Sequence, residues 1–99
     1  MSIFHITKLA KQDLLSIGRY TQATWGHEQR NNYLAKIDAA FHLLAIEPQR
    51  GRACDDLLLG YYKYRVGRHL IFYRHASEGM EIVRILHGSM DIEAHFDDD

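Results

Sequence analysis

Tyr61-Tyr62-Lys63-Tyr64-Arg65-Val66-Gly67-Arg68-His69-Leu70-Ile71-Phe72-Tyr73-Arg74 is the stretch on which the fold turns. Tyr62, Tyr64 and Val66 share one parity, Lys63 and Arg65 the other, which is the alternation of a half-buried strand. Gly67-Arg68 reverses the chain, and His69 to Arg74 reads as the returning strand. A second turn at Ala76-Ser77-Glu78-Gly79 leads into Met80-Glu81-Ile82-Val83-Arg84-Ile85-Leu86-His87. Apolar residues occupy both parities of these last two strands, so both faces of the sheet are expected to be covered. One face is assigned to helices of the same chain. The other is left for something else, a first hint of a partner.

Upstream, the period lengthens. Residues 3–6 read as a short strand, with Thr7 as the N-cap of a helix from Lys8 to about Ala23. Its stripe is Ala10, Leu14, Ile17 and either Tyr20 or Thr21, at spacings of three and four. Gly26 ends it, and a second helix follows from about His27 to Ile46 with Tyr33, Ile37, Ala40, Phe41 and Leu44 on its inner face. Pro48 stops that helix. The predicted order is β-α-α-β-β-β, an α+β fold with a helical hairpin packed on a small curved, mainly antiparallel sheet. The N-terminal strand is expected to pair within the same sheet, since its backbone groups need partners. Residues 1–96 are assigned to a single domain, with a helical turn at 91–96 and an acidic end at 97–99.

Charge is unevenly placed. The chain has 99 residues and a net charge of −1. All twelve Lys and Arg lie in residues 1–90 against eight acids, leaving +4, while residues 91–99 carry five acids and no Lys or Arg. A body so weakly basic does not favour nucleic acid as a direct ligand. A single cysteine excludes an intramolecular disulfide. No apolar segment is long enough for a signal or membrane span, so a soluble, cytoplasmic chain is expected.

Catalytic and metal motifs are scarce. His5, His27, His42, His69, His75, His87 and His95 show no HxxxH or HExxH spacing, and no native metal site is expected. Cys54 is followed by Asp55 and Asp56, whose charges oppose a thiolate, and reads as an ordinary loop cysteine. No glycine-rich phosphate loop follows a strand, so no nucleotide cofactor is expected. The arginines and tyrosines of residues 61–74 read first as a solvated face and strand filling, then as a protein-binding surface.

Several blocks, taken together and in order, resemble the RelE/ParE superfamily of toxins, with ParE-like members the nearer match. They are Leu9-Ala10-Lys11-Gln12-Asp13-Leu14 with Ile17 and Tyr20, then Glu47-Pro48-Gln49-Arg50-Gly51-Arg52. Tyr64 to Arg74 follows, and last comes Ile82-Val83-Arg84-Ile85-Leu86-His87-Gly88-Ser89-Met90-Asp91. The resemblance implies one of two activities. RelE-like members are ribosome-dependent mRNA endonucleases, which here would use Arg65, Arg74 and His87. ParE-like members bind DNA gyrase and perform no chemistry.

The nucleases typically carry an arginine three residues before the tyrosine of the third strand; that position, counted back from Tyr73, is Leu70. After Arg84 the chain has no Lys, Arg or Tyr, and Asp91 and Glu93 would repel an anionic transition state. The resemblance therefore implies a non-enzymatic gyrase inhibitor that plasmids use for stabilisation. Its neutralising partner would be a ParD-like antitoxin, a ribbon-helix-helix protein with a flexible C-terminal segment, in a hetero-oligomer with the toxin. Candidate contact residues are Tyr62, Tyr64, Arg74, Arg84, His87 and Met90. Core packing competes at the tyrosines and Met90, and a buried ion pair with an acid such as Glu81 competes at Arg84.

Overall fold

The computed structural model describes residues 3–55 and 58–88. Met90, the turn expected at 91–96 and the acidic end lie outside the described residues. The elements are β1 (Phe4–Ile6), α1 (Lys8–Trp25), α2 (His27–Ile46), a single 3₁₀ turn (Pro48–Arg50), β2 (Arg52–Ala53), β3 (Tyr61–Val66), β4 (His69–Ala76) and β5 (Gly79–His87). Their sheet order is β1-β5-β4-β3-β2, antiparallel except for the β1–β5 pair. The expected α+β architecture is present, with the two-residue β2 added at its edge.

The helices form for the reasons the sequence offers. The Thr7 hydroxyl accepts the Ala10 N–H and so caps α1. Gly26 takes φ +95°, and its N–H closes on Gln22 O, so one glycine ends α1 and starts α2. Ala10, Ile17 and Thr21 are buried on α1, whereas Tyr20 faces outward. On α2, Ile37, Ala40, Phe41 and Leu44 are buried against Ile71, Tyr73, Ile82 and Ile85 of the sheet. Each buried Ile, Leu or Phe among them contributes about 1.5–3 kcal/mol of transfer free energy.

Beta5 changes phase midway. Phe72 pairs with Arg84 but Tyr73 pairs with Ile82, so Val83 is an extra residue in the ladder. Without this bulge Ile82 and Ile85 would point to opposite faces; with it both join the core under the helices. The mixed parity of β5 thus has a local cause. The sheet's other face also has an occupant within the chain. Phe72, Leu86 and Cys54 are each no more than 2% exposed and form a second cluster with Tyr61 and Leu70 around them. The two-faced strands are therefore not an uncovered surface awaiting a partner. Cys54 is correspondingly a buried cluster residue rather than an ordinary loop thiol.

Strand β1 ends at Ile6, opposite Ile82, leaving the rest of β5 with an open edge. The start of α1 covers it. Thr7 N–H donates to Ile82 O at 3.0 Å, the Thr7 hydroxyl donates to Val83 O at 2.8 Å, and the Asp13 carboxylate accepts from Ile85 N–H at 2.9 Å. Side chains here do the work of a sixth strand.

At the far end of the β1–β5 pair, Gly79 has φ +119°, and a Cβ there would overlap the Ile3 carbonyl oxygen. Gly79→Ala is expected to cost about 2 kcal/mol, from strain and from displacing β1. Thermal unfolding should then show a midpoint lower by roughly 8–16 °C.

Candidate partner-binding groove

A groove of about 710 Å³ opens between the helical hairpin and the end of the sheet. One wall is α1, from Asp13 through Tyr20 to Trp25; the other is Gln29, Tyr33 and Lys36 of α2. Gly67, Arg68 and His69 of the β3–β4 turn and Ile85 to His87 of β5 make its floor. Trp25 is 67% exposed and Tyr20 69%, large aromatic surfaces for a chain of this size. They are exposed because Thr21, one position beyond Tyr20, takes the buried place on the helix and donates its hydroxyl to Ile17 O.

The floor is held by Tyr33. Its hydroxyl lies 3.1 Å from Val66 O, 3.3 Å from Arg68 N and 2.6 Å from His69 Nδ1. Burial pushes the phenol pKa up, so the oxygen keeps its proton. Val66 O only accepts and Arg68 N–H only donates. All three contacts are satisfied together when Tyr33 donates to Val66 O and accepts from both Arg68 N–H and His69 Nδ1–H. In that arrangement His69 carries its proton on Nδ1 and its lone pair on Nε2. Burial, then the neighbouring His87, lowers the His69 pKa, while Asp13 raises it. Tyr33→Phe is expected to cost about 1–3 kcal/mol, as Val66 O and Arg68 N–H lose their partner. Urea unfolding would measure the loss.

At the mouth, Asp13 binds Arg84 through two bonds, Nε–Oδ2 at 2.8 Å and Nη2–Oδ1 at 3.0 Å. The two side chains are only 14% and 15% exposed. The bond to Asp13 raises the Arg84 pKa and keeps the guanidinium charged. Glu81 is not its acid: it sits directly across from Arg74 and pairs with it at 2.8 Å. Lys36 and Arg68, both lining the groove, have no acidic partner among the described residues.

The six residues singled out from the sequence do not gather. His87 lines the groove, and Arg84 borders it through Asp13. Tyr62 and Tyr64 pack half-buried against the main core, Tyr62 stacking on Tyr73 at 5.7 Å. Arg74 lies over Tyr61 and alternates with Tyr73, placing it on the opposite sheet face. Met90 is outside the described residues. Missed were Trp25, Tyr33, Lys36 and His69, while Arg68 entered only as one of the arginines of residues 61–74. The one available signal was Trp25 beside Gly26, an aromatic residue at a helix end with no place in the apolar stripe.

Comparison with known proteins agrees with this architecture. Residues 4–92 match the family model described as ParE toxin of type II toxin-antitoxin system, parDE. Toxin ParE1 of Caulobacter vibrioides is 35% identical over 95 residues, covering 96% of this chain and 98% of the relative. Toxin ParE1 of Mycobacterium tuberculosis is 37% identical over 93 residues, covering 93% and 95%. A structure of the chromosomal ParDE system from P. aeruginosa superposes with a TM-score of 0.75 at 18% identity, over 88% of this chain and 96% of that one. The toxin-antitoxin complex RelBE2 of M. tuberculosis gives 0.59 at 26% identity, over 87% and 96%. A helical hairpin on a five-stranded sheet, matched along nearly its whole length, places this chain in the ParE toxin family of type II toxin–antitoxin systems.

Proposed function

We propose that this chain is a toxin that inhibits DNA gyrase by binding, blocks replication and is silenced by a ParD-like antitoxin seated in the groove. The observation that carries the antitoxin reading is the groove, with Trp25 and Tyr20 exposed beside Lys36 and Arg68. Exposed aromatics bounded by cations with no acidic partner among the described residues suit an amphipathic segment with acidic side chains. Such a segment comes from the flexible C-terminal part of a ribbon-helix-helix protein, ordered on binding into a hetero-oligomer. Raising salt should weaken the complex through Lys36 and Arg68.

Action by binding rather than catalysis is supported by the scatter of the would-be nuclease groups. Arg65 and Arg74 alternate with residues of the core-facing side and lie on the outer face, while His87 lines the groove on the hairpin side. Arg74 and Arg84 are each engaged by a carboxylate, and Leu70 stands where the nucleases place an arginine. No described helix is long and apolar enough to cross a membrane, and gyrase as target places the action in the cytoplasm. Purified gyrase with added protein should lose supercoiling activity and regain it with antitoxin. Unaffected supercoiling, with new cuts in translated mRNA by primer extension, would overturn the proposal in favour of a ribosome-dependent endonuclease.

A further inference from the structure

Charge is sorted unequally between the two faces of the sheet. Tyr62, Tyr64 and Val66 of β3 pack on the core under the helices, so Lys63 and Arg65 stand on the opposite face. Arg52 of β2 lies directly across from Lys63, and like charges in such a pair repel. Arg74 and Arg84 have Glu81 and Asp13 as counter-charges, whereas Arg52, Lys63 and Arg65 form no ion pair among the described residues. We propose that the acidic segment 91–99 of this same chain seats on this cationic face.

Three features support the assignment. The first is where β5 delivers the chain. Gly88 N–H donates to Arg68 O at 2.9 Å, and a Cβ on Gly88 would stand 4.0 Å from Arg65 Nη2. Arg65 is held at this exit by its Nε–H, which donates to Gly67 O at 3.0 Å. The second is reach. Asp91 follows Gly88 by about 10 Å of extended chain, and residues 91–99 span up to roughly 30 Å. Lys63 lies only about 7 Å along β3 from Arg65, and Arg52 about 5 Å beyond it on the next strand. The third is complementarity. The segment carries five acids and no Lys or Arg, against +4 on the rest of the chain. Met90, Ile92 and Phe96 are interspersed with Asp91, Glu93 and Asp97, and the cations border the partly buried Tyr61 and Leu70.

A segment joined to the face is present there at an effective concentration on the order of millimolar, so an external anion competes at a disadvantage. Lys36 and Arg68 in the groove are a second cationic place, but there the two charges flank aromatic surface rather than repel across a strand pair. Once seated, the segment cancels the attraction of the face for nucleic-acid phosphates and relieves the repulsion between Arg52 and Lys63. The contact is independent of whether the groove takes an antitoxin.

Full-length protein carrying a nitroxide at Asp97→Cys, followed by amide NMR, tests the proposal; Cys54, at 2% exposure, should escape labelling. The amide signals of Arg52, Lys63 and Arg65 should be lost to broadening, and should return as salt rises from about 0.05 M to about 0.5 M. Lys63→Glu combined with Arg65→Glu should restore the Arg52 signal at low salt. Circular dichroism would verify folding, and should that pair unfold, the salt response of the parent decides. Nitroxide protein mixed with isotope-labelled protein lacking the nitroxide should broaden nothing, since the contact is within one chain. Broadening centred on Trp25 and Lys36, broadening in the mixed sample, indifference to salt, or no broadening at all would overturn it.

Discussion

Asp13→Ala is expected to destabilise the fold by about 3 kcal/mol, lowering the thermal midpoint by roughly 12–24 °C. One carboxylate holds three donors: Nε and Nη2 of Arg84 and the N–H of Ile85. Its removal leaves a guanidinium that is mostly shielded from water without its counter-charge, and uncovers a backbone donor on the edge of β5. The first loss is the larger, because a desolvated charge costs more than a neutral donor. The distinction is measurable. Asp13→Asn keeps one acceptor but no charge and should fall between the parent and Asp13→Ala. Adding Arg84→Met to Asp13→Ala should recover a large part of the loss, giving a coupling energy of at least about 1.5 kcal/mol in the double-mutant cycle. Simple additivity by urea denaturation would show that the pair contributes nothing as a pair.

Trp25→Asp is expected to weaken antitoxin binding at least about 30-fold, equivalent to 2 kcal/mol or more. Trp25 contributes little to the core, being 67% exposed, so its replacement should shift stability by no more than about 0.5 kcal/mol. It lines the groove with a large exposed ring, and its two side-chain torsions make it less costly to order than a long flexible side chain. Leu59→Asp is the matching control: Leu59 is 81% exposed and does not line the groove. Calorimetry with the antitoxin's C-terminal segment should find the control bound like the parent. Equal losses at both positions would mean that the antitoxin lies elsewhere.

The expected elements were legible because each has a local cause. Thr7, Gly26 and Pro48 mark the helix ends, and Gly67 and Gly79 mark the turns. The bulge at Val83 was not legible. An extra residue in a strand is defined only by its neighbour's register, and the sequence showed just its symptom, apolar side chains on both parities. The same holds for Arg84, whose nearest acid along the chain is Glu81 and whose true partner lies 71 residues away. The groove was hidden for a third reason. Periodicity allowed either Tyr20 or Thr21 on the buried stripe, and the smaller residue, able to return its hydroxyl to Ile17 O, took the place inside.

The pairing of β1 with β5 also sets an order of events during synthesis. Phe4 lies beside Met80 and Thr7 bonds Val83, contacts that span about three-quarters of the chain. The last of the described strands to leave the ribosome sits inside the sheet, between β1 and β4. Until it emerges, β1 has no neighbour, and the inner faces of both helices lack Ile82 and Ile85 to pack on. Closing so long a loop is an entropic cost met before the contacts it brings are made. A nascent chain can therefore raise its helical hairpin early, but Asp13 has no Arg84 to bind until β5 has emerged.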